Sequence, residues 1–242
     1  MNVRMHVCAR VRVHKLLRTL CHSPCHIPGN THVRRFPKLG ILKLLWRPSD
    51  ALISLKSVYN LNTVKAIVVT CLKRLEQDMK RFIALALKMG VLEAKEIDPK
   101  SIVVKNWVRL KCQYGCGNYG KSLTCPPYSP TPEETREILK EYSHAILMRL
   151  PDESMATHDK VARLEKHIFL DGYHSAFGIV AGPCERCRKC NLEHCVYPRL
   201  ARPSMESSGI DVYSTVRKNG FHIEVLKNRR QKPTYFGLLL VN

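Results

Sequence analysis

Ala145-Ile146-Leu147-Met148-Arg149-Leu150 and Ala176-Phe177-Gly178-Ile179-Val180-Ala181 are two short apolar runs, and the 155–172 stretch between them carries apolar residues at helical spacing through Val161, Leu164, Ile168 and Phe169. An apolar run of this length bounded by turn residues reads as a buried strand, and a recurrence every three to four residues reads as a helix. Strand, helix, strand over such a distance predicts a right-handed crossover with parallel pairing. The chain is therefore expected to be α/β: a small mixed sheet with a βαβ unit and Cys-rich metal-binding loops, preceded by an irregular basic N-terminal region.

The second strand runs directly into Gly182-Pro183-Cys184, the start of Cys184-x2-Cys187-x2-Cys190-x4-Cys195. Loops at the carboxyl ends of strands are where α/β sheets place ligands. Four thiols within twelve residues can wrap a loop around one compact inorganic centre, and they are poorly spaced to staple distant segments. The pattern lies close to the Cys-x2-Cys-x2-Cys-x3-Cys-Pro run of bacterial ferredoxins, with one extra residue before the last cysteine and the proline displaced to Pro198. It predicts an iron–sulfur centre, 4Fe-4S in type, on Cys184, Cys187, Cys190 and Cys195. Zinc is the rival cofactor, although zinc sites usually set two Cys-x2-Cys knuckles further apart; a composite site of Cys112, Cys116, Cys184 and Cys187 is the form it would take.

Upstream lies a second constellation, Cys112-x3-Cys116-x8-Cys125-Pro126-Pro127, within a glycine-rich stretch read as a loop over 112–130. Its three thiols either complete the first site or form a second, with one coordination place left for another ligand. Arg109, Lys111, Arg186, Arg188, Lys189 and Arg202 crowd the cysteines in sequence; they are read either as cations that favour an anionic cluster or as a solvated basic face. Glu206 and Asp211 read as helix caps rather than as acid–base groups, and His144, His158, His167 and His174 as structural. There is no glycine-rich phosphate loop, no Gly-x-Ser-x-Gly and no His-Glu-x-x-His, so no reaction is assigned.

Further out, a helix is expected over 79–89 and a short strand over 91–94. Residues 102–110 are rich in β-branched and aromatic types and read as extended. Thr131-Pro132-Glu133-Glu134 is a helix start. A helix is expected over 211–219 and a last strand over 221–225, and the tail 228–242 is unassigned. Residues 79–227 thus form the expected metal-binding domain. Residues 1–78 hold 14 Lys+Arg against 3 acidic residues and show no sustained period. They read as a poorly structured extension or as sequence ahead of a misassigned start, with Cys21-His22-Ser23-Pro24-Cys25-His26 as incidental residues.

The net charge of +20 suits an acidic redox partner protein and leaves nucleic acid open, although no reader motif is present. Eleven cysteines in tight groups, with no apolar leader ahead of a small-residue cleavage site, fit metal thiolates in a reducing cytoplasm better than disulfides. The most apolar long window, 51–72, contains Lys56, Asn60 and Lys65, so no membrane span is expected.

Val108-Arg109-Leu110-Lys111-Cys112, Cys116, Tyr119-Gly120, Cys125-Pro126-Pro127, Gly182-Pro183-Cys184-x2-Cys187-x2-Cys190 and 202–212 (Arg-Pro-Ser-Met-Glu-Ser-Ser-Gly-Ile-Asp-Val) together resemble a family known only as predicted metal-binding protein, domain of unknown function 2284. The resemblance runs from about 107 to 225. It implies a bacterial or archaeal cytoplasmic protein that binds metal through these cysteines, and it implies no particular reaction. Electron transfer or an accessory redox role is the expected function. The alternatives are a zinc-stabilised interaction module and a redox enzyme whose cluster keeps one iron open.

Overall fold

The computed structural model describes residues 61–242 except Arg229. Residues 1–60, including the 21–26 Cys/His group, lie outside the described residues. Asp78–Asn242 forms one compact unit. Helix α1 spans Leu61–Lys88 and carries the chain into that unit. It begins well before the expected residue 79. Leu61, Val64, Val68, Leu75, Met79, Phe82 and Ala86 follow at gaps of three, four or seven, a helical stripe that the surrounding basic residues obscured. Residues 61–78 are therefore helical rather than irregular.

After α1 come β1 (Glu93–Ile97), a 3-10 turn (Pro99–Ser101) and helix α2 (Trp107–Gly115). Helix α3 (Pro132–Lys140), β2 (His144–Leu150), helix α4 (Met155–Leu170) and β3 (Phe177–Ile179) follow. A second 3-10 turn (Glu206–Ser208), helix α5 (Val212–Lys218) and β4 (Tyr235–Val241) complete the order. Helix α3 starts as expected: Thr131 and Glu134 form a reciprocal capping box ahead of Pro132. Ser154 caps α4 and Asp211 caps α5.

The sheet has the order β1-β2-β4-β3, and every neighbouring pair is antiparallel. The α/β class holds, but the direct parallel pairing expected between β2 and β3 is not made. Both strands pair with β4, which lies between them, so they run parallel to each other one strand apart with α4 as the crossover. The reason lies in the stretch read as a tail. Tyr-Phe-Gly-Leu-Leu-Leu-Val over β4 is buried on both faces, as a central strand requires. Residues 235–241 thus belong to the sheet, and the boundary expected at 227 is displaced. Residues 221–225 form no strand; Ile223 packs into the core from an irregular segment. The 102–110 stretch is extended only as far as a bridge from Val104 to Ile210, and then turns into α2.

One face of the sheet builds the main core. Ile97, Ala145, Leu147, Ile179, Phe236, Leu238 and Leu240 pack against Leu139 of α3, Val212 and Val216 of α5, and Met205 and Ile210. Helix α4 packs on β3 and β4. Among the described residues no helix is long and apolar enough to cross a membrane.

Candidate metal centre

Both cysteine constellations lie at one end of this frame, where α2, the 116–130 loop, the 3-10 turn 206–208 and the loop leaving β3 meet. Cys112 is in the last turn of α2 and Cys116 is the residue that caps it. A four-residue step on a helix puts both thiols on one side. The 112–115 part of the expected loop is therefore helical. Cys125 follows on the inside of a tight turn, its amide bonded to the Ser122 carbonyl at 3.0 Å and its own carbonyl accepting from Tyr128 and Ser129. The Pro126-Pro127 bond is cis.

Serines and one arginine hold this segment against the 202–212 motif. Arg109 Nη1 donates to Ser207 O at 2.6 Å and to Ser129 Oγ at 2.9 Å, Ser129 Oγ donates to Ser207 O at 2.6 Å, and Thr135 Oγ1 donates to Ser208 O at 2.7 Å. Buried backbone carbonyls that a 3-10 turn leaves without helical partners are satisfied in this way. Gly209 closes the turn at φ +76°, and a Cβ there would meet Pro132 Cγ at 2.7 Å. Cys112 Sγ lies 4.0 Å from the Glu206 carbonyl.

The second loop leaves β3 through Val180, which bridges to Ser204, and Gly182, whose φ is +72°. A side chain at 182 would strike the Glu153 carboxylate, 2.4 Å from the Cβ position. The loop is then tied to α4. Arg186 pairs with Asp159, and Glu185 N contacts Met155 Sδ at 3.4 Å. Below it, His158 is fully buried and donates from Nε2 to Ala181 O at 2.7 Å. Burial pushes its pKa down, which favours the neutral ring. At the far end, Arg202 pairs with Glu165 of α4, whose Oε2 also accepts from Gly178 N at 2.7 Å. Arg202 additionally covers the Phe177 ring at 5.2 Å.

The basic residues near the cysteines therefore divide. Arg109, Arg186 and Arg202 are enclosed and anchor the frame, whereas Lys111, Arg188 and Lys189 face solvent. His144 bonds Glu96 at 2.7 Å across β1 and β2, and His194 is exposed on the loop.

All seven cysteines named from the sequence are free thiols. Cys184, Cys187, Cys190 and Cys195 line one pocket of ≈ 20 Å³, which Ser122, Leu123 and Thr124 also line. Cys112, Cys116 and Cys125 line a different and larger cavity, ≈ 630 Å³. The two sets adjoin: Cys184 lies close enough to Cys125 for a charge on one to raise the pKa of the other. Among the described residues no three Cys, His, Asp or Glu side chains are already gathered around a point where a single ion would sit.

Burial pushes the Cys125 thiol up to about 11, with Cys116, Cys112 and Cys184 adding to the rise and a hydrogen bond from Thr124 opposing it. Burial likewise raises Cys112 and Cys184. A bound cation would offset the cost of a buried thiolate at these three positions, chemistry that fits a soft metal centre. The sequence did not show Ser122, Leu123 and Thr124 lining the four-thiol pocket. Their position directly before Cys125 was the available signal. Nor did it show Glu153 at the larger cavity, because it comes from a segment with no motif of its own.

No curated protein and no solved structure matches the chain. The model of one family does match, over residues 95–241, more than half of the chain. All seven free thiols lie inside the matched segment, and the chain belongs to the predicted metal-binding protein family, domain of unknown function 2284.

Proposed function

We propose that the protein binds an iron–sulfur cluster of the 4Fe-4S type through Cys184, Cys187, Cys190 and Cys195 and serves in electron transfer or as an accessory redox module in a reducing cytoplasm. The single observation behind this reading is that these four thiols line one pocket. A polynuclear centre spans a wider gap than one ion does. The tight Cys-x2-Cys-x2-Cys spacing, near that of the ferredoxin run, favours a cluster over zinc, whose knuckles usually stand further apart.

When bound, the cluster supplies a one-electron couple. The chain's part is to hold four thiolates, to shield them behind the 122–124 segment, and to fix the loop ends through Arg186 and Arg202. Arg188 and Lys189, exposed between the ligands, suit an acidic partner protein.

Anaerobic purification of the full chain with iron, sulfide and zinc analysis tests the reading. A brown protein whose visible band bleaches on dithionite, with iron lost in Cys184→Ser and Cys187→Ser, is the expected result. Colourless protein carrying stoichiometric zinc overturns it.

A further inference from the structure

Helix α2 buries only Val108 and turns an aromatic side outward. Trp107, Leu110, Lys111 and Tyr114 stand three or four residues apart, so they share one side of the helix. Trp107 is 46% exposed and Tyr114 79%. Single exposed apolar residues are ordinary. Two rings and a leucine on one helix side, followed by exposed Tyr119 in the loop directly after it, form a patch, and patches mark binding surfaces.

The charge around these rings has one sign. Residues 99–132 contain no Asp or Glu, and Lys105, Lys111 and Lys121 are exposed among them. Glu133, where the acids resume, is tied to Asn106 and Arg136. Trp107 and Lys111 also border the larger cavity, and its acids Glu153, Glu206 and Asp211 limit the basic surface on that side. Cations interleaved with exposed rings meet two features of an unpaired polynucleotide at once, its regular phosphates and its flat base faces. An acidic protein offers only the first. A membrane surface calls for a broad aliphatic face, and this side of α2 has Leu110 alone. Trp107 and Tyr114 are seven residues apart, about 10 Å along a helix axis, the span of about three stacked bases at roughly 3.4 Å each.

We infer that α2 and the start of the 116–130 loop form a sequence-tolerant platform for single-stranded nucleic acid, on which Trp107, Tyr114 and Tyr119 stack against bases while Lys105, Lys111 and Lys121 pair with phosphates. The basic arm supplies further attraction for any polyanion, so the rings are what distinguish this surface from general charge.

Fluorescence anisotropy of the full chain with a labelled oligothymidylate of about 12 nucleotides is the test. Trp107→Ala with Tyr114→Ala keeps every charge and weakens binding about tenfold or more. Should that variant fail to fold by circular dichroism, Tyr114→Ala alone, at the more exposed ring, loses about fivefold. Trp107→Phe with Tyr114→Phe keeps the rings and stays within about threefold of the parent, and oligouridylate binds within about threefold of oligothymidylate, because stacking tolerates sequence. Lys105→Gln with Lys111→Gln lessens the slope of log affinity against log salt by about 1.4. With Trp46→Phe leaving Trp107 as the sole tryptophan, the oligomer quenches its emission. Affinity unchanged by ring-to-alanine substitution overturns the inference, as does equal affinity for a duplex of the same length, whose base faces are hidden. Displacement of the oligomer by polyglutamate as readily as by unlabelled oligothymidylate, which would mark an acidic protein as the partner, also overturns it. So does a shift of Trp107 emission on anionic vesicles with none on the oligomer.

Discussion

Arg202 reaches Glu165 through two hydrogen bonds, at 2.6 and 2.5 Å, with both side chains nearly enclosed. Removing one partner of such a pair strands the other as a buried charge, which costs about 3–5 kcal/mol. Arg202→Ala is therefore expected to lower the free energy of denaturant unfolding by that order. Arg202→Lys should recover little, because a lysine cannot span both carboxylate oxygens. Asp152 offers a different test. Its carboxylate accepts from Ser154 Oγ, Thr157 Oγ1 and Ser154 N at the start of α4, and these bonds hold its pKa down at about 2 against an ordinary 3.8. The folded state thus favours the charged form. The stabilisation is whole above pH 3.8 and is lost as pH falls through about 2. Asp152→Asn should flatten the acid limb of stability between those values in a pH series of thermal melts and leave the neutral-to-alkaline limb unchanged.

Helices whose signals are local were legible in the sequence. Thr131 with Glu134, and the 3.6-residue recurrence through Val161, Leu164 and Ile168, are read from neighbours a few residues apart. Helix α2 was not, because Ile102, Val103, Val104 and Val108 carry β propensity that the pairing of Val104 with Ile210 uses up within two residues. Trp107, Leu110 and Tyr114 then lie exposed on a helix that buries only Val108, so its apolar period points at no core. The turn that faces α2 depends on Gly209. Gly209→Ala combines a left-handed backbone with a collision against Pro132 and should destabilise by at least about 1 kcal/mol in chemical denaturation. It should also loosen the Ser207 and Ser208 carbonyls from Arg109 and Thr135, visible as faster amide exchange over 205–211.

At the scale of the whole molecule, the two cysteine groupings were legible because thiol spacing is itself a short-range signal. The cavity was not, because its walls come from positions as far apart as 107 and 236. The sheet order was hidden for the same kind of reason: the strand that joins β2 to β3 is remote from both in sequence. Leu238 is fully buried at the centre of that strand. Leu238→Asp places a charge in the main core and should abolish cooperative thermal unfolding, with metal content falling even though every cysteine is intact.

Tyr235 follows Cys195 by 40 residues. During synthesis all seven thiols leave the ribosome before the strand that bridges β2 and β3 exists. Nascent chains therefore pass through an interval in which these sulfurs are bare to oxidants and to adventitious ions. Until β4 docks between β2 and β3, the sheet that frames both cysteine loops is incomplete.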